Sequence, residues 1–144
     1  MSGQTAVTGK KPWHVWAVGL LTLLWDGSGA LTIVLAQQGR LNGISADEAA
    51  YYAAQPLWFV LVTDFSLLTA LAAGIAVLLQ SRHALWLFRL SLLSILATNA
   101  WDLAQGSSRA LANSSALIVT IIIVVLAVLQ LIYARVMTER GLLK

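Results

Sequence analysis

Four long apolar runs, separated by polar or glycine-containing breaks, organise the chain. They predict helices over residues 13–37, 57–80, 84–105 and 113–136. A helix needs about 20 predominantly apolar residues to cross a bilayer, so each run is long enough to be a transmembrane helix. The pattern therefore predicts a single all-α transmembrane domain over residues 1–144, arranged as an antiparallel four-helix bundle.

The main polar connection lies between the first two runs. Ser45 and Glu48 have the spacing of a capping box, which begins a helix by satisfying two backbone N–H groups. This predicts a short interfacial helix over residues 46–55, with Tyr51 and Tyr52 at the level of the lipid headgroups. Pro56 would end this helix and begin the next one.

Small residues form a stripe on one face of each of the first two long helices. Small side chains allow helix backbones to approach closely in a bilayer. On the first helix the stripe consists of Gly19, Thr22, Asp26 and Gly29. On the second it consists of Thr63, Ser66, Ala70, Ala73 and Val77.

Asp26 places an acidic group close to the middle of the first apolar run. It lies about 20 Å along the helix from Trp13. A central Asp costs about 2.5–3.5 kcal/mol on the membrane-insertion scale, a cost that the surrounding Leu, Ile and Val residues offset. Ionisable residues inside a membrane are rare and usually functional, so Asp26 is a candidate functional group.

Further polar residues are predicted to lie near Asp26. They come from the second run and from a polar stripe on one face of the third run. We expect them to face protein or water, because polar groups avoid acyl chains. The candidate intramembrane polar site consists of Asp26, Asp64, Ser94, Thr98, Asn99 and Asp102.

Two interpretations of Asp26 are open. It could lie on a proton- or cation-coupled translocation path. Alternatively, a protonated Asp26 could join two helices by hydrogen bonding to Ser94, Thr98 or Asn99, which is the interpretation that we favour. Whether Asp26 faces a hydrated cavity or a dry helix contact would distinguish the two.

Composition and charge support a membrane protein and indicate its orientation. The chain is 59% hydrophobic and 10% charged, whereas soluble domains have about 25% charged residues. Although the net charge is +3, the basic residues are dispersed at the ends of the apolar runs, which excludes a nucleic-acid interface. With both termini cytoplasmic, the inner side carries Lys10, Lys11, Arg82, Arg89, Arg135, Arg140 and Lys144, and the outer side Arg40 and Arg109. This asymmetry follows the positive-inside rule.

The sequence offers no familiar catalytic pattern. It has no cysteine, and we find no nucleophile–base constellation, phosphate-binding loop or metal-ligand spacing. His14 and His83 could in principle ligate a haem, but isolated interfacial side chains explain them better. We therefore expect neither an enzyme nor a bound cofactor or metal.

Several short motifs occur in a recognisable order. They are Pro12-Trp13-His14-Val15-Trp16, Leu23-Leu24-Trp25-Asp26-Gly27-Ser28-Gly29, Pro56-Leu57-Trp58, the segment from Gly74 to Arg82, Phe88 with Ser91-Leu92-Leu93, and Gly141. The chain thereby resembles a family of small four-helix bacterial membrane proteins often labelled "sugar transporter". The family commonly has Asn at the position of Asp26, so this residue is a departure. The resemblance implies a bacterial inner-membrane location and a transport role.

Two hypotheses of function follow. In the first, the protein is a small-solute, sugar-like transport or permeability component. Since four short helices enclose little volume, a homo-oligomer is one arrangement open to it. In the second, it is a non-transporting accessory or structural subunit of a larger membrane complex. In both, the lipid bilayer is its immediate partner.

Overall fold

The computed structural model describes residues 12–105 and 114–144, and these ranges contain helices and turns but no strand. The helices are α1 (Trp13–Gln37), α2 (Ala46–Ala53), α3 (Leu57–Leu78), α4 (His83–Gln105) and α5 (Ser114–Glu139). The predicted all-α class is confirmed. α1 matches its predicted limits, as do the starts of α2 and α3 and the end of α4, whereas the other described helix ends differ from prediction by one to three residues. The predicted start at Asn113, the residues before Pro12 and Arg109 lie outside the described residues.

Four of the five helices are long and apolar enough to cross a membrane. They are α1, α3, α4 and α5. Large apolar side chains such as Leu20, Leu68 and Ile121 are more than half exposed on their surfaces. An exposed apolar surface of this extent is typical of helices that face lipid, and a soluble monomer rarely shows it.

The capping box at the start of α2 forms as predicted. The Ser45 hydroxyl accepts a hydrogen bond from the Glu48 backbone N–H at 3.2 Å. In return, the Ser45 backbone N–H donates to a Glu48 carboxylate oxygen at 2.8 Å. These bonds satisfy donors that the first turn of a helix otherwise leaves unpaired, and so fix where α2 begins.

α3 is the central helix of the bundle. Among the described residues it packs closely against α1 and α4, whereas α5 packs against α4, and α1 makes a smaller contact with α2. In the predicted small-residue stripe of α3, Ser66, Ala70, Ala73 and Val77 are buried. In the most apolar stretch of α3, 39% of the residues are buried, compared with 11% in the corresponding stretches of α1 and α5. The two outer helices therefore offer most of their surface to lipid or to a partner.

α1 approaches α3 closely because two glycines lie at their contact. A Cβ atom on Gly19 would lie 2.5 Å from Leu78 Cδ2, and a Cβ atom on Gly74 would lie 2.9 Å from Leu23 Cδ2. Neither position has room for a larger side chain without movement of its neighbours. This is the close approach that small residues permit in a membrane.

One end of the bundle, which we call the packed end, is closed by apolar side chains. It brings together the start of α1, the turn between α3 and α4, and the end of α5. The cluster consists of Val15, Ala73, Ala76, Val77, Ala84, Phe88, Ala134, Met137 and Leu143. We call the opposite end, where α2 lies, the α2 end.

The segment that follows α5 completes the packed end. Gly141 has φ of 69°, a left-handed conformation that turns the chain back after the helix. The Lys144 backbone N–H then donates to Gln80 O at 2.8 Å, and the Arg82 N–H donates to Lys144 O at 2.9 Å. Leu143 is buried between these contacts and the cluster, so the turn between α3 and α4 is held in place.

The α1–α3 contact predicts a difference between two glycine substitutions. Gly74→Leu should lower the free energy of unfolding by about 1–3 kcal/mol, because the larger side chain forces the helices apart. Gly29→Leu is the matched control, since nothing lies within 4 Å of a Cβ atom there. Unfolding of the purified protein by SDS in mixed micelles measures both. Equal losses at the two positions would contradict the proposed contact.

Candidate functional site

The structure does not bring the six predicted site residues together in one hydrogen-bonded cluster. The three carboxylates among them have separate surroundings: Asp26 bonds to Gln130, Asp102 bonds to Tyr51, and Asp64 Oδ1 is unpaired. Ser94, Thr98 and Asn99 join none of them through a side-chain hydrogen bond in the described part of the chain.

Asp26 is hydrogen-bonded to α5. The Gln130 side-chain amide donates to the two carboxylate oxygens of Asp26 at 3.2 and 3.4 Å. The prediction that Asp26 bonds to the polar stripe of α4 is therefore wrong. Among the described residues α1 packs closely against α3 and not against α4, which is consistent with the lack of a bond between Asp26 and the polar stripe of α4.

Ser94, Thr98 and Asn99 of α4 instead bond to their own helix. The Ser94 hydroxyl donates to Leu90 O at 3.0 Å, the Thr98 hydroxyl donates to Ser94 O at 3.1 Å, and the Asn99 amide donates to Ile95 O at 2.7 Å. A short polar side chain can always return to a carbonyl one turn back in this way. A polar stripe on a helix therefore does not require a partner on another helix.

A groove of about 630 Å³ separates α1 from α5. The contact between Asp26 and Gln130 crosses it near the middle of α1. Closer to the packed end, His14 Nδ1 lies 3.1 Å from the Tyr133 hydroxyl. The residues that line the groove are largely apolar: Val18, Leu21, Thr22, Leu24, Trp25, Leu126, Leu129, Gln130 and Tyr133.

Trp25 and His14 lie at the edges of this groove. Trp25 is 46% exposed and forms part of the groove wall. His14 was expected to be isolated at the interface, yet its ring meets that of Tyr133 edge to face. Both residues contribute to the boundary between α1 and α5.

Three buried polar atoms in the described residues have no hydrogen-bond partner. They are Gln37 Nε2, Thr63 Oγ1 and Asp64 Oδ1. All three belong to the parts of α1 and α3 nearest the α2 end. Buried polar atoms in native proteins are nearly always paired, with ordered water where protein groups do not reach. This region of the bundle is therefore suited to hold water or a polar solute.

Asp102 is bound to the short helix α2. The Tyr51 hydroxyl donates to Asp102 Oδ2 at 2.8 Å, which joins α2 to the end of α4. Burial, followed by this carboxylate, raises the pKa of Tyr51 above its ordinary value, so the phenol remains a donor over the physiological range. Next to this contact, Trp58 and Trp101 pack edge to face with ring centroids 4.9 Å apart.

A second cavity lies beside the contact between Tyr51 and Asp102. It measures about 310 Å³ and lies between α2, the start of α3 and the end of α4. Its walls are formed by Tyr51, Ala54, Gln55, Pro56, Phe59, Trp101, Asp102 and Gln105. Unlike the groove between α1 and α5, this cavity is lined by a carboxylate and two side-chain amides as well as by aromatic rings.

Gln130 is the functional residue that reasoning from the sequence missed. The position of Gln130 in an otherwise apolar helix could have identified it, because a lone amide there needs a hydrogen-bond partner as much as Asp26 does. Tyr51 was assigned to the interface without a partner, and the sequence gives no indication that its hydroxyl reaches Asp102.

No group of three or more His, Cys, Asp or Glu residues in the described ranges is arranged to hold a metal ion. Comparison of the chain with protein-family models, with curated proteins and with solved structures finds no match.

Proposed function

We propose that the chain is a multi-pass protein of a bacterial inner membrane in which α1, α3, α4 and α5 are four antiparallel spans. The apolar surfaces of these helices support a location within lipid. The excess of Lys and Arg near the packed end supports a cytoplasmic position for that end, and for both termini. In this orientation the α2 end faces the opposite side of the membrane.

Within that membrane the protein acts as a transport or permeability component for a small solute. The observation that carries this proposal is the set of three unpaired polar atoms on Gln37, Thr63 and Asp64, in the half of the bundle nearest the α2 end. These atoms suit a hydrated entrance at the α2 end, whereas the apolar cluster closes the packed end. A bundle that is polar at one end and closed at the other fits one state of an alternating-access transporter. The resemblance implies a sugar-like solute.

Asp26 is the group between these two ends that a solute would meet. Its hydrogen bonds with Gln130 are long, because 3.2 Å is the upper limit of the usual range and 3.4 Å exceeds it. Such a contact costs little to exchange for a bond to a water molecule or a solute hydroxyl. Asp26 therefore binds the solute on its way through the bundle.

Uptake into proteoliposomes tests this role. With a panel of labelled hexose, pentose and glycerol, Asp26→Leu should reduce uptake of the transported solute at least about tenfold, a change equivalent to about 1.4 kcal/mol. Asp26→Asn keeps hydrogen-bonding capacity and should retain more of the uptake. Thr32→Val is the control, because the Thr32 hydroxyl bonds within α1 on an exposed face. Full uptake by Asp26→Leu would contradict the role of Asp26.

Labelling of introduced cysteines tests the orientation, and the absence of native cysteine makes it specific. Arg40→Cys should react with an impermeant maleimide added to intact spheroplasts. Arg82→Cys should react only after permeabilisation, because it lies in the turn at the packed end. The unsubstituted chain controls for background. The reverse pattern would contradict the assignment of the packed end to the cytoplasm.

The groove between α1 and α5 favours a second candidate, an accessory subunit of a larger membrane complex. Its apolar lining, together with the exposure of both helices, leaves a surface that a homo-oligomer or another membrane protein could cover. This candidate gains if the purified protein moves no solute in the uptake assay. It also requires that other chains, or further copies, remain bound in fixed ratio when its mass is measured in detergent.

A further inference from the structure

The cavity beside Tyr51 and Asp102 has the properties of a small-molecule site. Its volume of about 310 Å³ is at the lower end of the range for such sites. Three elements form its walls, so a ligand there would be in contact with α2, α3 and α4 together. Its walls present polar and apolar surface in similar amounts, which suits a ligand that is both charged and partly apolar.

The lining combines aromatic rings with one carboxylate. Tyr51, Phe59 and Trp101 supply the rings, and Asp102 supplies the negative charge. The faces of aromatic rings carry partial negative charge and attract cations, with Trp the most effective. Because only Oδ2 of Asp102 bonds to Tyr51, the carboxylate keeps the capacity to interact with a ligand.

The charge around the cavity also favours a cation. In the described part of the chain, Asp47, Glu48 and Asp102 lie at the α2 end, where Arg40 is the basic residue. The basic residues Arg82, Arg140 and Lys144 lie at the packed end instead. The sequence assigns Arg109 to the same side as the three carboxylates, so these carboxylates outnumber two arginines there. This excess of negative charge raises the local concentration of cations.

An organic cation fits this lining better than a metal ion does. Hard metal ions such as Ca²⁺ need about six or more oxygen ligands, and the cavity is lined by a single carboxylate. An alkylammonium group instead gains from contact with rings, which tolerate its bulk and replace part of its hydration.

We propose that this cavity binds a small organic cation of the alkylammonium class, with Asp102 opposing its charge and Trp101, Phe59 and Tyr51 surrounding its alkyl groups. The ligand class of this cavity does not depend on the proposed transport function. Only the side from which the cation enters rests on that function. Binding to purified protein tests the site, and uptake through Asp26 tests the function, so either can fail without the other.

Calorimetric titration of the full chain in detergent with choline tests the proposal. Choline should bind saturably, and its neutral isostere 3,3-dimethylbutan-1-ol should bind at least about tenfold more weakly. Asp102→Asn should weaken choline binding at least about tenfold, since it removes the charge but keeps an acceptor for Tyr51. Trp101→Leu should weaken it about threefold or more.

Two variants act as controls for this titration. Asp47→Asn removes an exposed carboxylate at the same end of the bundle that does not line the cavity. It should leave choline affinity within about twofold. Tyr51→Phe removes the hydrogen bond but keeps the ring and the charge, so it should weaken binding less than Asp102→Asn does. Equal binding of choline and its isostere, unchanged affinity in Asp102→Asn, or no saturable binding by the folded protein would overturn the proposal.

Discussion

A carboxyl group in the middle of an apolar helix needs a hydrogen-bond partner from the protein, and this requirement joins α1 to α5. Asp26 finds that partner in Gln130, across a groove where the two helices do not pack closely. Since lipid tails cannot satisfy either side chain, each stabilises the other. The contact thus completes a bundle whose remaining neighbours are joined by close packing.

The two ends of the bundle differ in a way that the proposed function uses. At the packed end, apolar side chains from α1, α3, α4 and α5 meet, and the segment ending at Lys144 binds the turn between α3 and α4. At the α2 end, polar atoms remain unpaired and a cavity contains the carboxylate of Asp102. Asp26 lies between the two ends, next to the lateral groove.

Helix limits could be predicted because they depend on local sequence. The capping box at Ser45 and the run from Trp13 to Gln37 specify where α2 begins and where α1 begins and ends. The hydrogen-bond partners of the polar side chains could not be predicted, because periodicity defines which face of a helix is polar but not which helix lies against it. The α4 side chains Ser94, Thr98 and Asn99 bond to their own backbone, whereas Gln130 makes the long-range contact.

The pairing of Asp26 with Gln130 is the central claim, and a double-mutant cycle tests it most directly. Asp26→Leu is combined with Gln130→Leu and, separately, with Thr98→Val, and the free energy of unfolding in mixed micelles is measured for each. The account predicts a coupling between about 0.6 kcal/mol, the average measured for hydrogen bonds in a membrane protein, and about 1.7 kcal/mol, the largest value measured there, for Asp26 with Gln130. It predicts additivity within about 0.5 kcal/mol for Asp26 with Thr98. Coupling to Thr98 and additivity with Gln130 would contradict it.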